Sequence, residues 1–165
     1  MKKIMMLIGA SVLLMACSEN EEAALDENVV ASIDGVEVTE EDVFLLQDYS
    51  EDTLDAAVEK YVAEEVVAQE AIIAGYDMPE SSNDFLLEED EEFINVRAEY
   101  LDVSAEDYFY EYYIPYQETQ MLISSFVTDN IGLEGAEDDL DAADEEAEAF
   151  INGLLADRDI EYFTN

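Results

Sequence analysis

Side chains able to do chemistry are unevenly supplied in this 165-residue chain, which has one cysteine (Cys17), no histidine, and 45 acidic residues against five lysines and arginines. Without imidazole, and with a single thiol, the common general bases, base-assisted thiolate nucleophiles and His- or Cys-based zinc sites are out of reach. Carboxylates alone can hydrolyse glycosides as a pair. Among 45 of them, however, a pair at suitable separation arises by chance, so none is assigned a catalytic role and the chain is read as a non-enzyme. Calcium is the better-founded question, because carboxylate oxygens are its natural ligands. The densest cluster, Asp138-Asp139-Leu140-Asp141 with Asp144, Glu145 and Glu146, offers Asp139, Asp141 and Asp144 as weak candidates, but it lacks the loop glycine of an EF-hand. A solvated acidic connection with diffuse cation binding is the plainer reading, and no cofactor is expected. The other concentration of functional groups is aromatic, running from Tyr108 to Tyr116. A helix there puts rings on more than one side, so Tyr108, Tyr110, Tyr112, Tyr113 and Tyr116 either contact apolar segments of another chain or pack on neighbouring helices with partial exposure.

Cys17 has a context of its own. Met1-Lys2-Lys3, the apolar run from Ile4 to Leu14, and a small residue at Ala16 form the basic, hydrophobic and cleavage regions of an export signal too short to span a bilayer. Leu14-Met15-Ala16-Cys17 resembles the bacterial lipobox, which implies a diacylglyceryl thioether on Cys17 and cleavage between Ala16 and Cys17. Residues 1–16 are thus expected to be a lipoprotein signal peptide. Residues 17–28 read as a lipidated acidic tether, in which residues 18–28 have no apolar period and at ~3.3 Å per extended residue reach about 35 Å. What remains carries three cations (Lys60, Arg97, Arg158) and all 45 carboxylates, a formal charge of 3 − 45 = −42. That field excludes nucleic acid as a partner and disfavours docking on anionic lipid. The membrane is expected to be reached through the lipid alone, on the extracytoplasmic face, each buried methylene contributing about 0.8 kcal/mol. Salt should stabilise such a body, and adaptation to a halophilic or alkaliphilic habitat accounts for the charge more economically than a dedicated acidic function.

The acids are interleaved with periodic apolar residues, so residues 29–165 read as one folded domain rather than a disordered chain. Val29–Ile33 and Val36–Val38 flank Asp34-Gly35, a hairpin-turn dipeptide. Thr39 caps a short helix over about residues 40–49, with Glu40, Glu41 and Asp42 complementing its N-terminus. Ser50 caps a longer helix in which Leu54, Val58, Tyr61, Val62, Val66, Ala68 and Ile72 recur at helical spacing until Gly75 stops it. A third helix is predicted over about 83–101, with Leu86, Phe93, Ile94, Arg97, Tyr100 and Leu101 on one stripe. Ser104 caps a fourth, which Pro115 should kink or split near Ile114. Residues 132–144 read as a connection, about 144–156 as a last helix, and Ile160 to Phe163 as a closing strand that returns to the hairpin.

This order of elements, together with Gln69-Glu70-Ala71 followed by Gly75, the turn from Leu101 to Phe109, and the closing helix and strand, resembles the N-terminal domain of SurA- and PrsA-type extracytoplasmic chaperones. The resemblance covers most of Val29 to Phe163, although each of its motifs is a short apolar and capping pattern. It implies a mainly α fold with a small β element (α+β), four to five helices, a terminal strand beside the N-terminal hairpin, and binding of unfolded or emerging exported polypeptides. Longer members carry a parvulin prolyl isomerase domain of about a hundred residues between the helical part and the last helix. Here residues 131–145 are all that joins them, and the histidines of parvulin sites are absent. The alternative is a structural or interaction lipoprotein that uses the same scaffold to bind one dedicated envelope partner.

Overall fold

Asp34 and Gly35 take φ of 51° and 80°, so the chain reverses within two residues and Ile33 faces Val36. In the computed structural model, which describes residues 28–47, 54–79, 90–131 and 140–163, this turn joins strands β1 (Val29–Ile33) and β2 (Val36–Thr39), with a register shift between Val29 and Ala31. Strand β3 (Ile160–Tyr162) pairs antiparallel with the other edge of β1, giving the order β2-β1-β3. The expected return of the closing strand to the hairpin is therefore found.

That return is locked by charge-assisted bonds. Asp34 N donates to Asp159 O (2.7 Å) and Asp159 N to Asp34 Oδ1 (3.0 Å). Arg158 pairs with Asp34 Oδ2 (2.8 Å) and Glu70 Oε1 (2.9 Å) and donates to Gln69 Oε1. One guanidinium thus ties the hairpin turn, the end of the second helix and the start of β3 together, using the planar set of donors that lysine lacks.

Thr39 and Asp42 form a reciprocal capping box at helix α1 (Glu40–Leu46): Asp42 N donates to Thr39 Oγ1 (3.2 Å) and Thr39 N to Asp42 Oδ2 (2.9 Å). The helix ends at Leu46, three residues earlier than predicted, because Gln47 is extended (φ −110°, ψ 140°). Helix α2 (Leu54–Ile73) buries Ala57, Val58, Val62, Val66, Val67, Ala68 and Ala71. Ile72, expected on that face, is 51% exposed. Gly75 at φ 91° closes the helix, with Gly75 N bonded to Ile72 O and Tyr76 N to Ala71 O, the two bonds of a Schellman ending.

Helix α3 (Glu91–Leu101) follows Asp90, whose side chain makes no capping bond, and ends the same way as α2, with Asp102 left-handed at φ 56°. The turns predicted over 83–89, and the predicted cap Ser50, lie outside the described residues. Helix α4 (Ala105–Tyr108), a π-helical segment (Phe109–Tyr113) and helix α5 (Ile114–Ile131) follow one another without a break in right-handed helical backbone. Helix α6 (Leu140–Ala156) begins about four residues before the predicted start at 144. Alanines at 142, 143 and 147 favour helix, and acids in a first turn complement its dipole, so the acidic character that suggested a loop is compatible with a helix start.

The result is the expected mainly helical fold with a small antiparallel sheet. An aliphatic layer of Val30, Ile33, Val43, Val58 and Val62 lies between the sheet, α1 and α2. Val67, Leu122 and Phe126 continue it to Phe150 and Ile151 of α6. Leu45, Ile94, Tyr108, Phe109 and Tyr113 form a separate aromatic layer between α1, α3 and the π-helical segment. Among the described residues no helix is long and apolar enough to cross a membrane.

Candidate functional site

Pro115 carries no N–H, so the helix bond that its position would donate is missing. The chain widens one turn ahead of it: Ile114 N–H reaches back to Phe109 O across the π-helical segment, leaving Pro115 in the first turn of α5 where no donor is needed. Where a kink or split was expected near Ile114 the helical backbone continues, and a π-helical turn accommodates the proline, its extra residue shifting the phase of everything after it. Tyr108, Phe109 and Tyr113 point inward, Tyr112 and Tyr116 are half-buried, and Tyr110 is exposed.

Two of the five tyrosines read as contact residues are therefore core residues. Tyr108 is fully buried, donates its hydroxyl to Leu45 O and stacks on Tyr112 (centroids 5.5 Å, planes 10° apart). Burial pushes its hydroxyl pKa up to about 12. Tyr113 stacks on Phe109 and donates to Asp90. For both, packing against neighbouring helices is the correct reading, since their hydroxyls are satisfied inside and their rings face no solvent. Tyr110 packs edge-on against Phe109.

Tyr112 and Tyr116 wall a cleft of about 220 Å³ where the end of α1 meets α2 and the start of α5. Tyr61, Leu46 and Pro115 complete its apolar wall, and Glu64, Glu65 and Glu111 supply carboxylates. A second recess, of about 290 Å³, opens beyond Tyr116 and Leu46 and is lined by Gln47, Lys60 and Phe93 among others.

A polar network lies between the two. Gln47 Nε2 donates to Glu64 Oε2 at 2.6 Å, and Tyr116 Oη lies 3.4 Å from the same oxygen. Burial raises the Glu64 carboxyl above its ordinary range, against the opposing pull of the Gln47 bond and of Lys60, whose Nζ stands 3.9 Å away. Tyr61 and Tyr116 hydroxyls are raised by burial first and by nearby carboxylates second, so both remain protonated donors. Gln47 is itself 1% exposed, and its Oε1 has no hydrogen-bond partner among the described residues.

The end of α1 is held from the other side by Arg97. Its Nε donates to Phe44 O (3.0 Å) and its Nη2 to Gln47 O (2.8 Å), while the guanidinium lies 3.5 Å from the Phe93 ring centroid. The extended turn at Gln47 is thus fixed by a cation, which is why α1 stops where it does. Gln47, Glu64, Glu65 and Tyr61 were not singled out as site residues in the sequence. Arg97 on an otherwise apolar stripe was a signal, because a buried arginine must bond something. Gln47 gave none.

Cys17, Ala16 and Asp139 lie outside the described residues, whereas Asp141 and Asp144 fall in the first turns of α6. Among the described residues no three potential metal ligands come together. The cleft's resources are rings, protonated phenols, an amide and carboxylates, which suit the binding of a partly apolar chain. Comparison of the chain with protein-family models, with curated proteins and with solved structures finds no match.

Proposed function

We propose that this chain is a lipid-anchored, non-enzymatic, chaperone-like protein that transiently binds unfolded or emerging exported polypeptides at the extracytoplasmic face of the membrane. The observation that carries the reading is the open, ring-walled cleft between α1, α2 and α5, with Tyr112 and Tyr116 available on its wall. Rings of this kind bury apolar segments without requiring one sequence, and the acidic rim keeps the unoccupied protein soluble. Similarity of element order to the SurA- and PrsA-type N-terminal domain supports the same role, and the lipobox-like tetrad ending at Cys17 supports the location.

The test is aggregation of a chemically denatured model protein in the presence of the full-length chain, at salt concentrations where the chain is folded. A delay that grows with chain concentration is expected, and no delay at any ratio would overturn the reading. Recovery of one stoichiometric envelope protein by affinity capture, in place of many sub-stoichiometric exported chains, would point instead to a dedicated partner.

A further inference from the structure

We infer that the cleft between α1, α2 and α5 is a seat for a cationic side chain of the bound polypeptide, with arginine preferred to lysine. This rests on the proposed polypeptide-binding role and specifies what the cleft selects within it.

The lining of the cleft calls for a cation. Glu64, Glu65 and Glu111 line it together with Tyr61, Tyr112 and Tyr116, and among the described residues its lining includes no lysine or arginine. Lys60 reaches toward Glu64 from the neighbouring recess at 3.9 Å, but its side chain is 62% exposed against 17% for Glu64, so it leaves the cleft unfilled. Gln47, almost wholly buried and bonded to Glu64 through Nε2, lines the neighbouring recess and not the cleft, and holds Glu64 from behind. Three carboxylates, one of them desolvated, and flanking ring faces are together complementary to a planar cation with several N–H donors.

The molecule already contains one such arrangement. At the other side of the α1 terminus, the guanidinium of Arg97 lies over the Phe93 ring and near that of Phe44 (4.9 Å) while donating to the carbonyls of Phe44 and Gln47. The cleft repeats those ingredients, rings beside oxygen acceptors, with the cation still to be supplied from outside. An ammonium would satisfy the charge, but a guanidinium also stacks on the rings and reaches more than one acceptor, which sets the order arginine over lysine. The net charge of −40 attracts any basic chain over long range; the cleft adds a local preference that the field cannot.

The experiment measures binding of fluorescent peptides of one apolar sequence, with a central arginine, lysine or citrulline, to the full-length chain in zwitterionic nanodiscs. Citrulline keeps the shape of arginine and removes the charge. The arginine peptide is expected to bind about tenfold more tightly than the citrulline peptide, with lysine between them. Glu111→Gln on the exposed rim, and separately Glu64→Gln, should reduce that preference severalfold. Neutralising two exposed carboxylates of α6 (Glu145→Gln with Glu148→Gln) should leave the preference intact. Equal affinity for arginine and citrulline, or the same loss in the α6 variant as in the cleft variants, would overturn the cation seat while the polypeptide-binding role stands. Absence of binding by every peptide would overturn that role, and the inference with it.

Discussion

Helix α1 faces opposite materials on its two sides. Val43 enters the aliphatic layer with Val58, Val62 and the sheet, whereas Leu45, two residues on, enters the aromatic layer with Tyr108, Phe109 and Tyr113. The aliphatic side carries a single phenol at its edge, that of Tyr61, among the residues packed against it, and its stability comes mainly from burial and close packing. The aromatic side buries ring area but carries polar tips into the interior, each needing a partner: Tyr108 on Leu45 O, Tyr113 on Asp90, Arg97 on Phe44 O and Gln47 O. It is also the side that opens into a cleft. Cohesion that depends on placed hydrogen bonds leaves one buried acceptor, Gln47 Oε1, without a donor among the described residues.

Substitutions on the two sides should therefore fail by different routes. The largest loss is expected for Arg97→Met, which strands two backbone carbonyls and frees the Gln47 turn. It should lower unfolding free energy by about 3 kcal/mol in urea titrations, and a loss below that of a single valine truncation would break the distinction. Val62→Ala on the aliphatic side removes only packing and should cost about 2 kcal/mol, with no change in peptide binding. Tyr108→Phe keeps the ring and deletes the hydroxyl, so a cost of about 1 kcal/mol read from thermal unfolding would isolate the bond to Leu45 O.

The smallest effect has the opposite sign. Burial raises the Glu64 carboxyl in the folded state, so the folded state holds that proton more tightly than the unfolded state. Stability from this group is present below the unfolded value and is lost as pH rises through the folded one. Glu64→Gln escapes that loss and should raise the melting temperature by about 2 °C near pH 7, the gain fading as pH falls toward 4.5. A gain that persists under acid would show that charge is not its source. Higher stability with weaker arginine selectivity in the same variant is what a binding carboxylate, as opposed to a structural one, predicts.

The aliphatic side was largely legible in the sequence, because short-range rules govern it. Asp34-Gly35 has one economical turn, Thr39 has donors to cap, Gly75 takes the left-handed position that ends α2, and the apolar residues of 160–163 have only the hairpin to return to. The start of α6 was hidden because acids suit both a loop and a helix N-terminus. The aromatic side was legible only in part. Spacing of 3.6 residues cannot assign faces across a π-helical turn, so Tyr108 and Tyr113 could not be told from Tyr112 and Tyr116. Gln47 and Glu64 meet across 17 residues, and Gln47 and Arg97 across 50. No local pattern encodes either pair.

The central claim is that polypeptide binds at the aromatic end of the molecule, and site-specific photo-crosslinking tests it most directly. A benzophenone amino acid would replace Tyr112 at the cleft or Asn152 on the exposed face of α6, in the full-length chain mixed with an unfolded client. The account predicts strong crosslinking from position 112 and little from position 152. Equal yields from the two positions, or none from 112, would contradict it.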